Sequence, residues 1–137
     1  MDTTEEVVTF SSDLRCHASL EYVVLWRAAL NTAAAMGALV DACIALRLRG
    51  LMLRMCRVTP ASLPELTRLI AAGAWRQLIV QNQRGPVKAF EEGHRSTRLF
   101  VAAVRASALT KLVLANYKGE VPDSVVEAVK FINARRQ

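Results

Sequence analysis

Residues 20–49 read LEYVVLWRAALNTAAAMGALVDACIALRLR, and the reading of this run decides the fold. It contains no proline and is rich in Ala and Leu. Ser19, just before it, is suited to cap a helix beginning at Leu20. Gly50, just after it, stands where a C-terminal cap belongs. The run is long for one globular helix, so a break near Asn31–Thr32 or at Gly37 divides it into two antiparallel helices. Its polar residues do not gather on one side, so most of its surface is expected to be buried, against the protein itself or against copies of it. The small residues Ala33, Ala34, Ala35, Gly37 and Ala38 are expected to let another helix approach closely.

Outward from this run the signals are local. Leu51, Leu53 and Met55 alternate with Met52, Arg54 and Cys56, a pattern that leaves room for a short strand before Thr59-Pro60. Ser62 and Glu65 form a capping box, and a helix follows through Leu66, Leu69 and Ile70 to Gly73 or Trp75. Residues 81–86, QNQRGP, read as a polar loop. Ser96 is placed to cap a long helix over Thr97–Tyr117, with Leu99, Ala102, Ala103, Ala106, Leu109, Val113 and Tyr117 along one stripe. Lys118-Gly119 stops it. A second capping box, Ser124 to Glu127, opens a short amphipathic helix ending at Arg135-Arg136. The chain shows no internal repeat and no low-complexity tract. The expectation is one all-α domain over 1–137, an up-down four-helix bundle with a short C-terminal helix and at most one small β element. Residues 1–18 would be an acidic N-terminal arm, and 76–96 a basic loop between the third and fourth helices.

Composition narrows the classes of function. The 137 residues suffice for a single domain, and 53% hydrophobic with 22% charged residues excludes a disordered chain. The longest charge-free stretch, Ala28–Val40, is too short to span a bilayer. The acidic start, with Asp2, Glu5, Glu6 and Asp13, lacks the basic opening and apolar run of a secretory signal. Cys16, Cys43 and Cys56 are odd in number and widely spaced, so they read as reduced intracellular thiols. His17 and His94 complete no metal-ligand spacing, and no metal or cofactor is expected. Nucleophile-elbow, P-loop, zincin and dinucleotide motifs are all absent. Cys16 and His17 are sequence neighbours that would diverge on a helix, and Glu91-Glu92 are adjacent rather than facing. A non-enzyme is expected.

Charge is distributed unevenly. Residues 1–46 carry six acids against two bases, a net of −4, whereas residues 47–137 carry sixteen bases against six acids, a net of +10. Fourteen of the 18 bases are Arg, whose planar fork suits phosphate and carboxylate. Arg76, Arg84, Lys88, Arg95, Arg98 and Arg105 bracket the polar loop, and Asn82 and Gln83 add amide donors and acceptors. Such a set suits a phosphate backbone, with Arg on phosphate oxygens and amides on sugar or base edges. Few aromatics are interleaved, so it is not a base-stacking platform. Arg47, Arg49, Arg54 and Arg57 form a second basic group, suited to nucleic acid or to the acidic N-terminal segment of a neighbouring copy.

The order of these features resembles the coat proteins of tobamoviruses and related rod-shaped plant viruses. The residues carrying the resemblance are Gly73-Ala74-Trp75, Arg76, the Asn82-Gln83 pair, Pro86 and the Arg98…Ala102-Ala103-Val104-Arg105…Leu109…Leu112 helix, with a fainter likeness at Phe10-Ser11-Ser12 and Ala29-Leu30-Asn31. Ile79 and Gln81 stand where that family carries acidic residues, which puts its carboxylate disassembly switch in doubt here. The resemblance implies a four-helix bundle whose copies pack side by side into a rod around single-stranded RNA, in the virion and the host cytoplasm. Arg76 and Arg95 or Arg98 would then be phosphate ligands, with Arg105 lower on the same helix. Two other classes remain open on the residues alone. One is a small basic helical dimer that binds nucleic acid as a regulator or silencing suppressor. The other is an interaction adaptor whose Arg faces meet an acidic protein.

Overall fold

Tyr22–Trp26, with two valines and two aromatics in five residues, is a strand whose side chains are alternately exposed and buried. The computed structural model describes residues 2–72, 75–82, 89–90, 93–115 and 121–134. In chain order the elements are α1 (Thr4–Leu14), β1 (Tyr22–Trp26), α2 (Ala33–Leu46), β2 (Gly50–Cys56), α3 (Leu63–Ala71), β3 (Gln77–Asn82), α4 (Arg95–Ala106), β4 (Lys111–Ala115) and α5 (Asp123–Ala134). All four strands are parallel, and their order in the sheet follows the sequence. The fold is therefore α/β, and the expected all-α four-helix bundle is corrected. The error lay in treating 20–49 as wholly helical. Only 33–46 is helix, capped by Thr32, whose Oγ1 accepts the Ala35 N–H at 3.1 Å.

The expected absence of a repeat is corrected as well. Leu20, Val23, Leu25, Ala28 and Leu30 are matched 28 residues on by Leu48, Leu51, Leu53, Cys56 and Val58. Trp75, Leu78 and Val80, then Leu109, Leu112 and Leu114, repeat the first three positions. Nearly all of these side chains are buried, with Leu20 and Leu114 partly so. The backbone repeats with them. The Glu21 carbonyl accepts the N–H groups of Arg49 and Gly50, that of Arg49 those of Arg76 and Gln77, and that of Arg76 those of Thr110 and Lys111. Arg27 and Met55, equivalent in consecutive units, both adopt the left-handed conformation, at φ 55° and 56°. This spacing is that of leucine-rich repeats, L-x-x-L-x-L-x-x-N/C-x-L. Cys56 occupies the N/C position, with its Sγ 3.4 Å from the Arg54 carbonyl and 3.8 Å from that of Leu25.

The helices form one row against one face of the sheet, each packed on the next from α1 to α5. The core lies between the layers, where Val23, Leu51, Leu78 and Leu112 form one cross-strand row and Leu25, Leu53, Val80 and Leu114 another. Other local expectations also shift. Most of the supposed N-terminal arm is α1, capped by Thr3 with Glu5 and Glu6 in its first turn. Ser62 precedes α3 but does not cap it; its hydroxyl exchanges hydrogen bonds with the Thr59 backbone instead. His94, not Ser96, caps α4, its Nδ1 accepting the Ser96 N–H at 3.1 Å. The helix expected over 97–117 ends at Ala106, because Ser107 turns extended and its Oγ donates back to the Val104 carbonyl at 2.7 Å. Beyond it β4 forms, so Leu109 and Val113 share no helical stripe with Leu99. Ala35 is buried as expected of the small-residue stretch, but Ala33 and Ala34 are exposed.

Candidate functional site

Parallel strands are ordinarily covered on both faces. Here, among the described residues, no helix covers the face opposite the helix row. The pleat sends Tyr22, Val24 and Trp26 to this side, and they are 52%, 59% and 53% exposed. The register builds three rows from them. Tyr22, Gly50, Gln77 and Lys111 form the first, Val24, Met52, Ile79 and Val113 the second, and Trp26, Arg54 and Gln81 the third. The middle row is apolar from one edge of the sheet to the other, with Val24 exposed and Met52, Ile79 and Val113 half-buried.

Each flank has its own construction. In the first row Gly50 is buried beneath the Tyr22 ring; a Cβ at that position would lie 2.5 Å from Tyr22 Cδ1. Glycine thus lets the ring lie flat on the neighbouring strand. In the third row the Arg54 guanidinium stacks 4.8 Å above the Trp26 ring, and its Nε donates to Gln81 Oε1 at 3.4 Å. A cation held over an aromatic face gains about 0.5–1 kcal/mol at an exposed site. It also fixes the fork in one orientation, so the three strands present a pre-set aromatic–cation–amide edge.

The residues expected to bind RNA are dispersed. Arg76 is exposed at the start of β3, where its backbone joins the ladder leading into β4. Asn82 ends β3, so Gln81 and Asn82 belong to a strand and not to a loop. Gln83, Arg84 and Lys88 lie outside the described residues. Arg95, Arg98 and Arg105 are exposed along one side of α4. Arg98 Nη1 donates to the Gly93 carbonyl at 2.8 Å, and the Arg105 guanidinium lies 5.5 Å from the Phe131 ring centre. With β3 between α3 and α4, the basic segment does not simply join two bundle helices. In the second basic group, Arg54 lies on the open face, while Arg47 ends α2 in the left-handed conformation.

The open-face residues Tyr22, Val24, Trp26, Met52, Ile79 and Val113 formed no part of the expected site. Their signal was present in the recurring L-x-x-L-x-L spacing, whose intervening positions point away from the core. The described residues contain no group of three or more His, Cys, Asp or Glu able to hold a metal. Nor do they contain a helix long and apolar enough to cross a membrane. Burial pushes the Cys43 thiol up to about 12, and burial likewise raises that of Cys56. Neither thiol is poised as a nucleophile.

No protein-family model matches the chain, and no curated protein does. Among solved structures, the tropomodulin C-terminal domain of Caenorhabditis elegans is similar in fold. It shares 18% identity with a TM-score of 0.51, over 96% of this chain and 94% of that one. At that identity the likeness concerns the fold alone, and it agrees with the strand–helix solenoid described above.

Proposed function

We propose that this chain is a protein-interaction module that binds an acidic polypeptide segment with apolar anchors across the open face of its sheet. The observation that carries this reading is the register, which aligns Val24, Met52, Ile79 and Val113 into one apolar row on the side no helix covers. Exposed contiguous apolar surface marks interaction sites on soluble proteins, and repeat solenoids use such sheet faces for binding. Tyr22 and Trp26 supply the rigid amphipathic anchors typical of binding hot spots. Arg54 and Lys111 flank the row, and the net charge of +10 over residues 47–137 favours an acidic partner. Of the functional classes open to the sequence, this is the adaptor, displayed on a solenoid instead of a bundle.

Rod assembly around single-stranded RNA, in a virion and host cytoplasm, drew its support from a bundle with an RNA-facing loop. Without the bundle, that support reduces to the exposed arginines of α4, and the open face carries the stronger reading. The test is to select a random peptide library against the purified protein and measure the affinity of enriched peptides by calorimetry. An oligouridylate is titrated in the same buffer. Enriched peptides should be acidic with an apolar centre. Trp26→Ala should weaken them roughly thirtyfold, as loss of a hot spot worth about 2 kcal/mol requires, and Ile79→Lys should abolish binding. Peptides that bind the Ile79→Lys variant as tightly as the parent would refute the open-face reading. So would saturable oligouridylate binding with no peptide enriched.

A further inference from the structure

A second surface is independent of the sheet face. Along α4, Arg95, Arg98, Leu99, Ala102 and Arg105 are exposed on one stripe, and Leu99 is 47% exposed. Phe131 of α5, itself 43% exposed, lies beside it under Arg105. On α4 the stripe is apolar at its centre and basic along its length with no exposed acid, while on α5 Glu127 is exposed one turn before Phe131. At the far end of the helix row, α1 has the opposite character. Glu5, Glu6, Val8, Thr9 and Asp13 are exposed there with Phe10 partly so, and most of them line a shallow open hollow of about 440 Å³. α1 packs against α2 on one side and presents its other side outward.

The two surfaces match in length as well as in sign. Glu5 and Asp13 are eight residues apart, about 12 Å along a helix, while Arg98 and Arg105 span about 11 Å and Arg95 and Arg105 about 15 Å. We propose that the α4–α5 stripe docks the exposed face of α1 from a second copy of this chain. Acids would meet the arginines of α4 while Phe10, on the same side of α1 as Glu6 and Asp13, covers Phe131. The surfaces differ and lie on different helices of the row, so the contact is heterologous. Such a contact does not pair two copies symmetrically but adds them head to tail. The sign asymmetry between residues 1–46 and 47–137 is what such an arrangement requires.

Sedimentation velocity over a range of protein and salt concentrations tests this. At low salt the parent should grow with concentration into species beyond a dimer, and high salt should return it to monomer. Glu5→Arg with Asp13→Arg in one variant, and Arg95→Glu with Arg98→Glu in another, should each be monomeric under the same conditions. Acids are favoured in the first turn of α4, so the second variant keeps its helix. An equimolar mixture of the two variants should assemble again, because both contacts become complementary across the mixture. A parent that stays monomeric at low salt overturns the proposal, as does a mixture that fails to recover. Self-association lost in Ile79→Lys but retained in both charge variants would place the contact on the open sheet face instead. Oligouridylate binding lost in the Arg95→Glu, Arg98→Glu variant, with self-association unchanged, would make the stripe a nucleic-acid surface and also refute the proposal.

Discussion

Strand β4 is the last of the described strands, and a side chain of α5 bonds its outer edge. Asn133 on α5 accepts the Leu112 N–H at 3.2 Å through Oδ1 and donates to the Leu112 carbonyl at 2.9 Å through Nδ2. It thereby imitates a neighbouring strand at a residue that is itself fully buried. Asn133→Ala leaves both backbone groups without their partner. A buried group stripped of its hydrogen bond costs about 1–3 kcal/mol, so two would cost about 2–6. Asn133 is half-buried near the end of α5, so water can reach the gap and the lower end applies, about 2 kcal/mol. The higher helix propensity of Ala returns at most about 0.7 kcal/mol and less in a last turn. For a domain of this size each kcal/mol shifts Tm by about 3–5 °C, so a fall of about 6–10 °C is expected by calorimetry. Native-state hydrogen exchange gives the local reading. The Leu112 amide should exchange much faster in the variant, while the Leu78 amide, paired inside the sheet, should change only with global stability. A Tm equal to the parent's, with Leu112 still protected, would show that the edge is closed by something other than Asn133.

Leu53, fully buried at the centre of β2, should lose about 2–5 kcal/mol on substitution by Ala, whereas Val24→Ala on the open face should be close to neutral; urea denaturation separates the two. A maleimide probe should label exposed Cys16 in the native protein and reach buried Cys43 and Cys56 only after unfolding, as mass spectrometry would show. The folded protein holds the Cys43 thiol protonated up to about 12 against an ordinary 9.0, so an unfolded chain releases that proton first. Stability from this thiol is full below pH 9 and falls as pH rises from there toward 12, by about 1.4 kcal/mol per pH unit. Cys43→Ala should start less stable at neutral pH but decline less steeply above pH 9, which denaturant midpoints across that range would reveal. Gly50→Val should displace the Tyr22 ring and weaken open-face peptides while leaving far-ultraviolet circular dichroism unchanged.

Part of this fold was legible in the sequence and part was hidden by a specific ambiguity. The helices α3 and α5 were legible from their apolar spacing, although neither Ser62 nor Ser124 caps as expected, Ser124 lying inside α5; the alternation in 51–56 left room for β2 but set Met55, not Cys56, on the buried side. The segment 20–49 misled because its Ala-rich half, a true helix over Ala33–Leu46, adjoins the apolar Tyr22–Trp26 with no proline or glycine between them. Two β-branched residues and two aromatics within Tyr22–Trp26 were the counter-signal. The repeat was concealed because its positions are held by different residue types. Val23 and Trp75 stand where Leu stands in other units, and Ala28 stands where Cys56 does. Volume and burial recur, but letters do not.

The candidate site was harder to read for a reason of geometry. Cationic residues announce themselves in a sequence, and Arg76, Arg95, Arg98 and Arg105 are all exposed. What a sequence does not give is which cations share a surface. Arg98 and Arg105 do, because a single helix places them seven residues apart on one face. Arg76 does not lie on that helix, and only the strand order fixes its neighbours. The apolar row on the open face has the same dependence in stronger form. Val24, Met52, Ile79 and Val113 are spread over most of the chain and are unremarkable singly. They become a surface only once the strands are parallel and in register. A one-residue slip of any strand would bury its member and expose a core residue in its place. The recurring core spacing forbids that slip, because it would turn Leu51 and Leu53, or Leu78 and Val80, out toward water. The same periodicity that stabilises the core therefore specifies the open face.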